Sequence, residues 1–354
     1  MRKICLITDQ HFGARADNPL FLNYFENFYK NVFFPFLVKN NITEIISGGD
    51  TFDRRKYVNF VTLQRARKMW FEPLLENNIK VHCLLGNHDI YYKNTSEINS
   101  AQEILGRYPN IVIYDRTTEV IFDETKVLLI PWINDDNYEE SIKKIKETEA
   151  KNVIGHLELK GFLMQRGLKS ETGFTVDLFN KFNMVASGHF HHKSDSDNIH
   201  YLGAPYELNF ADMNDPRGFH VWEIGLKELE FLRNPYRMFY KIIYDDREKT
   251  LEEILSKASD KFQGTYVKVV VQNRTKPNDF DKFMERLFSL NPADVKIEDN
   301  QSLDEGTEDL IVNTAEDTLT ILNKYVDSLE IETDKVKVKD ELKLLYVEAS
   351  NMER

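Results

Sequence analysis

Five short clusters of Asp, His and Asn, each directly after an apolar run, constrain this chain more than any other feature. In order they are Asp9-Gln10-His11, Gly49-Asp50-Thr51-Phe52-Asp53, Gly86-Asn87-His88-Asp89, Gly155-His156 and Gly188-His189-Phe190-His191. The runs ahead of them are Ile4 to Ile7, Ile45 to Ile46, Val81 to Leu85, Val153 to Ile154 and Met184 to Ala186, and they read as buried strands. Longer helical patterns separate them, the rhythm of a layered α/β fold. Side chains that leave strand ends at one edge of a sheet converge in space. The clusters are therefore expected to meet, although they lie far apart in the chain.

Hard oxygen donors mixed with imidazole suit divalent manganese, iron or zinc. Two such ions about 3.5–4 Å apart can activate a water and clamp phosphoryl oxygens during in-line displacement. One ion would take Asp9, His11 and His191; the other Asn87, His156 and His189. Asp50 is the expected bridge, because its strand is central in the order of motifs. In an extended Gly188-His189-Phe190-His191, residues two apart point the same way, so both imidazoles face the metals. Glycines ahead of four clusters let the backbone turn sharply at the strand end. His88 is left over beside a ligand and suits proton donation to a leaving oxygen, with Asp53 or Asp89 orienting its ring. His82 reads as a core histidine, His200 and His220 as structural, and His192 as pointing away from the metals.

The helical patterns are those of packing. Phe21, Tyr24, Phe25, Phe28, Val32 and Phe36 form the core face of an amphipathic helix expected to end near Pro35. Further helices are expected over Phe60 to Leu75 and Ser96 to Leu105, and strands at Val112, Val120 to Phe122 and Val127 to Ile130. After the last histidine cluster, Ile199 to Leu202, Gly218 to Ile224, Leu229 to Leu232 and Phe239 to Tyr244 read as strands. These could close a second sheet over the first, a β-sandwich flanked by helices. Three regions follow: 1–245 carrying the metal motifs, a smaller α+β cap over 246–330, and a C-terminal segment, 331–354. In the cap, the acidic stretch Asp299 to Asp309 reads as a loop, Leu310 to Val312 as a strand and Thr318 to Leu329 as a helix. Leu342, Leu345, Tyr346, Ala349 and Met352 share one helical stripe, which either folds back or docks a partner.

With 354 residues, two or three domains and ample core are expected. Cys5 and Cys83 both sit in strand-like runs and read as reduced core residues of a cytoplasmic protein. No apolar stretch approaches the roughly 20 residues of a membrane span. The net charge of −12 argues against a broadly basic nucleic-acid surface. Bound divalent ions would nonetheless invert the local field where a substrate sits.

The five clusters together resemble the calcineurin-like metallophosphoesterases. Phe12-Gly13 after the first cluster, Tyr201-Leu202-Gly203-Ala204-Pro205 and Asn209-Phe210-Ala211-Asp212 narrow the likeness. Over residues 1–212 the chain is similar to the SbcD-type nuclease subunits of double-strand-break repair and to the recombination nuclease subunits of T-even-like phages. That resemblance implies manganese-dependent 3′-to-5′ exonuclease and single-strand endonuclease activity on DNA. It also implies a homodimer and a coiled-coil ABC-type ATPase partner on the C-terminal segment, which moves the stripe from Leu342 to Ala349 toward docking. No Gly-x-x-x-x-Gly-Lys phosphate loop occurs in this chain, as a separate ATPase requires. Arg15, Arg54, Arg55 and Lys56 are the candidate phosphate contacts; solvated surface charge is the plainer reading of each. The rivals are a protein phosphatase or cyclic-nucleotide phosphodiesterase of the same superfamily, and an inactive scaffold. Arg55 and Asp89 stand where the phosphatase pattern has Gly and Glu.

Overall fold

The computed structural model describes residues 2–165, 168–299, 322–323, 325–327 and 334–352. In chain order its strands begin with β1 (Lys3–Ile7), β2 (Glu44–Ser47), β3 (Lys80–Leu84), β4 (Ile111–Tyr114), β5 (Thr118–Phe122), β6 (Thr125–Ile130) and β7 (Asn152–His156). A small hairpin, β8 (Leu163–Gln165) and β9 (Leu168–Lys169), comes next. Then follow β10 (Met184–Gly188), β11 (Ser194–Ser196), β12 (Ile199–Tyr201), β13 (Gly218–Glu223) and β14 (Leu229–Arg233).

Two six-stranded sheets result, ordered β14-β13-β1-β2-β3-β4 and β11-β12-β10-β7-β6-β5. Parallel pairing joins β1 to β4 in the first and β12, β10, β7 and β6 in the second. Their inner faces share one core, in which Ile4, Leu6, Ile46 and Leu84 meet Leu129, Ile154, Met184 and Ala186. Alternate residues of the second sheet, Leu128, Ile130, Val153 and Val185, turn outward and are buried with Ile145 of helix Tyr138–Glu147. Each such side chain contributes about 1.5–3 kcal/mol by burial. The expected sandwich is present, with one difference. Five clusters predicted to share one sheet edge are divided, three following β1, β2 and β3, one ending β7 and one beginning at the last residue of β10.

The aromatic helix does not stop at Pro35. It runs through Pro19–Phe28, Tyr29–Phe33 and Phe34–Lys39, with one wide turn in which the Phe34 N–H reaches back to the Tyr29 carbonyl. A widened turn shifts the hydrogen-bond ladder and re-accommodates a proline that has no N–H to give. The same device precedes Pro73, where Glu72 N–H donates to the Arg67 carbonyl. These two helices bury Phe25, Phe28, Tyr29, Phe33, Trp70 and Phe71. The helix expected over 96–105 is confined to Ala101–Leu105, because Tyr91 N–H donates to the Ile98 carbonyl and Ile90 bridges Asn99.

The chain divides into two compact units, residues 1–206 with 214–236, and residues 207–213 with 237–354. The boundary expected at 245 is corrected by strand pairing. Strand β15 (Phe239–Asp245), read as part of the sandwich, pairs instead with β16 (Tyr266–Asn273), which pairs with β17 (Asp294–Asp299), all parallel. Helices Leu251–Leu255 and Pro277–Ser289 supply Ile254, Phe280, Phe283 and Leu287 to a core with Ile242, Tyr244, Val267 and Val269. The α+β pattern expected of this region is present. The loop at 300–309, the strand at 310–312 and most of the helix at 318–329 lie outside the described residues. The last helix, Lys335–Met352, starts seven residues before the expected stripe and absorbs Val336 and Val338. In it Leu342 is half-buried and Leu345 exposed; the side chains of Tyr346 and Ala349 lie outside the described residues.

Candidate metal centre

The loops after β1 and β2 zip together through their backbones: the N–H groups of Asp9, His11 and Phe12 donate to the carbonyls of Gly49, Asp50 and Thr51 at 2.9–3.0 Å. Three further hydrogen bonds cross from one sheet to the other. The His189 N–H reaches the Asp9 carboxylate at 3.1 and 3.2 Å, His156 Nδ1–H donates to the Gly48 carbonyl at 2.7 Å, and Trp132 N–H donates to the Leu85 carbonyl at 2.7 Å.

Asp9, His11, Asp50 and His189 all have left-handed backbones, with φ of 52°, 44°, 54° and 85°. L-residues resist this region, by roughly 1–2 kcal/mol each, and such strain clusters where a side chain must be aimed. The alternation argument for His189 and His191 therefore fails, since the stretch is not extended. The two rings serve opposite ends: His189 Nδ1 lies 2.9 Å from Asn87 Oδ1, and His191 Nε2 lies 2.9 Å from His11 Nε2. The glycines also differ from expectation. Gly49 does take a positive φ of 104°, whereas a Cβ on Gly86 would sit 2.1 Å from Asp50 Oδ1. Gly86 is required by close approach, not by a turn.

All seven expected ligands converge. Asp9, His11 and His191 form one group whose ligating atoms lie within 4.8 Å of one another, Asp9, Asp50 and His156 form a second, and His11, Asp50 and His88 a third. Asp50 Oδ2 is 3.7 Å from His11 Nε2 and 3.4 Å from His156 Nε2, between the two ends. Asn87 Oδ1 is 3.0 Å from His156 Nε2. His156 spends its Nδ1–H on Gly48, so its Nε2 lone pair faces the Asn87 and Asp50 oxygens. Acceptors aimed at one another need a cation between them, and this mixed N/O set fits a divalent transition metal.

The charges agree. Burial alone would depress His11, but Asp53, Asp50 and Asp9 raise it to about 9; His156 is likewise raised to about 9 against burial, chiefly by Asp50. His189 is lowered to about 3 by burial and by the His156 charge. Asp50 is held well below the usual carboxylate range by His156 and His88, despite burial. Divalent ions held here would displace protons from His11 and His156.

Of the two aspartates expected to orient His88, only Asp53 reaches it, and through its backbone. His88 Nδ1–H donates to the Asp53 carbonyl at 2.5 Å, while the Asp53 carboxylate is 3.4 Å from His11 Nδ1. Asp89 is corrected from that role: buried, it accepts the backbone N–H groups of Asp50, Thr51 and Gly86. Among the basic candidates, Arg54 is engaged by Asp17 at 2.9 Å and by the Tyr57 hydroxyl at 2.7 Å. Arg15 and Arg55 are half-buried, and Lys56 is exposed. His82 is a satisfied core histidine between Tyr114 and Glu44, and His192 turns to Asp215 at 2.8 Å.

Two features escaped the sequence. Arg217, fully buried, donates to the His191 carbonyl and sits beside Asp215, bracing the last cluster. Trp132 lies over the histidines, its ring 4.9 Å from His189 and 6.0 Å from His156. Pro131-Trp132 follows β6 just ahead of Asn134-Asp135-Asp136-Asn137, a polar run outside the expected site.

Five polar clusters, three of them strained, at the rim of a two-sheet sandwich define a metal-dependent phosphoesterase. The profile of the calcineurin-like phosphoesterase family matches residues 2–193, and the chain belongs to that family. It is a hydrolase of phosphodiester bonds. It is similar to Exonuclease subunit 1 of Enterobacteria phage T4, 31% identical over 351 residues, which is 98% of this chain and 99% of the relative. It is also 31% identical over 87 residues to a subunit of the SbcCD nuclease of Staphylococcus saprophyticus, 23% of each chain. Among the described residues no helix is long and apolar enough to cross a membrane.

Proposed function

We propose that this chain is a DNA nuclease, with 3′-to-5′ exonuclease and single-strand endonuclease activity, dependent on two manganese ions and acting in double-strand-break repair and recombination. The observation that carries the reading is the convergence of all seven ligand candidates around Asp50, in a chain alike over its whole length to a phage exonuclease subunit. Asp9, His11, Asp50 and His191 would hold one ion, and Asp50, Asn87, His156 and His189 the other. Bound there, the ions supply the activated water and the charge that stabilises the phosphoryl oxygens in line with it. His88 gives its Nδ1–H to the Asp53 carbonyl, leaving Nε2 to deliver a proton to the departing oxygen. Asp53 also steadies His11 through its carboxylate. Arg15, Arg54, Arg55 and Lys56 are proposed to meet backbone phosphates, Arg54 by exchanging its Asp17 partner.

Both relatives are named as subunits, which supports a partner, here a coiled-coil ABC-type ATPase docking Leu342, Leu345, Tyr346 and Ala349. Exposed Tyr57, Phe60 and Val61 at the start of helix Phe60–Ala66 offer a face for a homodimer. Its place of action is proposed as the cytoplasm, that of the host if the chain is phage-encoded.

The test is manganese-dependent degradation of 3′-labelled linear DNA by purified protein, with Asp50→Asn alongside. Mononucleotide release that is lost in the variant is expected. Hydrolysis of a small phosphodiester with no action on DNA would move the substrate to the phosphatase or cyclic-nucleotide class.

A further inference from the structure

Trp132 is the one tryptophan of three that the core does not consume. Trp70 and Trp222 are 2% and 0% exposed, and the Trp222 indole N–H donates to the Leu226 carbonyl at 2.8 Å. Trp132 is half-buried instead. Pro131 cannot extend the β6 ladder, and the Trp132 backbone N–H is tied to Leu85, next to the Gly86-Asn87 turn. That anchor delivers the ring to the His189 and His156 end of the cluster, tilted 42° on His189 and edge-on at 72° to His156. Among the described residues no acceptor is recorded for its indole N–H. A large amphipathic ring with one face on a ligand, an open edge and a spare donor is suited to meet a ligand that has both a flat apolar part and hydrogen-bond acceptors.

We infer that Trp132 is a positioning residue for a nucleic-acid strand. Its body holds the His189 imidazole in ligating orientation, while its open edge receives a nucleotide flanking the scissile phosphate, by stacking and by the indole N–H. The inference rests on the nuclease reading for its substrate class. It explains how an acidic chain takes hold of a strand beside the metals, since base–aromatic stacking is independent of net charge and holds single strands without sequence preference. It also assigns strand contact to the end of the centre opposite His11 and His191.

Tryptophan emission gives a readout that needs no turnover. Adding a single-stranded oligonucleotide to wild-type protein in the presence of calcium should quench or shift the emission. Trp132→Phe should abolish that change, because Trp70 and Trp222 are sealed in the core. Under saturating manganese, Trp132→Ala should raise KM for single-stranded DNA about tenfold, the scale of one lost stacking contact, with kcat changed much less, and Trp132→Phe, which keeps a ring, should raise it by less. Hydrolysis of an abasic oligonucleotide, which keeps the sugar-phosphate backbone but has no bases, should suffer by a smaller factor. Trp132→Ala should lower manganese affinity as well, and Trp132→Phe should restore most of it. An emission change that persists in Trp132→Phe, or equal losses on DNA and the abasic strand, would overturn the strand contact and leave Trp132 a support for His189. A wild-type emission change without DNA cleavage would keep the Trp132 contact and reject the nuclease reading.

Discussion

Asp89 holds Asp50. One carboxylate oxygen accepts the Asp50 backbone N–H at 2.8 Å and the Gly86 N–H at 2.8 Å, while the other accepts Thr51 N–H at 3.1 Å. The side chain two residues past Asn87 thus fixes the turn that carries the proposed bridge. Two ligand loops from neighbouring strands are fastened by a residue that ligates nothing.

Asp89→Ala leaves three buried N–H groups without acceptors, each costing about 1–3 kcal/mol. The expected stability loss is about 2–4 kcal/mol after local relaxation, with weakened manganese binding. Asp89→Asn, which keeps one carbonyl acceptor, should lose less of both. Thermal melting and manganese titration of the two variants decide it; equal behaviour of Asp89→Ala and wild type would remove the clamp.

His88→Asn should retain manganese, because in the proposed assignment His88 ligates neither ion. Its kcat should fall by about 10²–10⁴-fold, the range of general acid catalysis, and the deficit should shrink on a substrate whose leaving group needs no proton. Loss of bound metal would instead make His88 a ligand, as its closeness to His11 and Asp50 allows.

Gly86→Ala tests close approach. Its Cβ would meet Asp50 Oδ1 at 2.1 Å and Asp50 N at 2.5 Å, so the bridging carboxylate must move. Manganese affinity is expected to fall by about 100-fold, the scale for a displaced ligand environment, in a protein whose circular dichroism is unchanged. Normal affinity would show that the two loops can separate at little cost.

Acid sensitivity should appear at the far end of the first sheet. Glu44 is buried; it accepts from Arg2 and faces His82 Nε2 at 2.9 Å. Burial would raise its carboxyl, but the His82 hydrogen bond and the charges of His82 and Arg2 hold it below the ordinary 4.5. A depressed carboxylate contributes fully above its unfolded value and loses that contribution as pH falls through the folded one. The melting temperature of wild type should therefore exceed that of Glu44→Gln near neutrality, and the gap should close below about pH 4.5. A gap independent of pH would refute the assignment.

The convergence of the seven ligand candidates and both sheet cores were legible because each depends on residue type and on strand-end placement. Less was legible wherever geometry overrode local pattern. Pro35 looks like a helix end in sequence, yet a widened turn at Tyr29–Phe33 lets the helix pass it. Phe239 to Tyr244 alternates like any sandwich strand, and only pairing with β16 assigns it to the other unit. Asp53 and Asp89 were equivalent as neighbours of His88; which one turns inward depends on backbone angles that no spacing encodes. Trp132 sits ahead of a polar run, Asn134 to Asn137, but its place beside the histidines comes from β6 ending beside β3 in space.

The bonds from Asp9 to His189, from Gly48 to His156 and from Leu85 to Trp132 all tie one sheet to the other, and all lie at the rim that carries the ligand turns. The centre is therefore a clasp on the open mouth of the sandwich, as much a part of its mechanics as of its chemistry. Ions bound across that rim would resist sliding of the sheets past each other. Chelation would release the mouth first, leaving the Ile4, Leu6 and Ile154 interior closed. Amide exchange would then quicken at the five turns before it reaches the strands behind them.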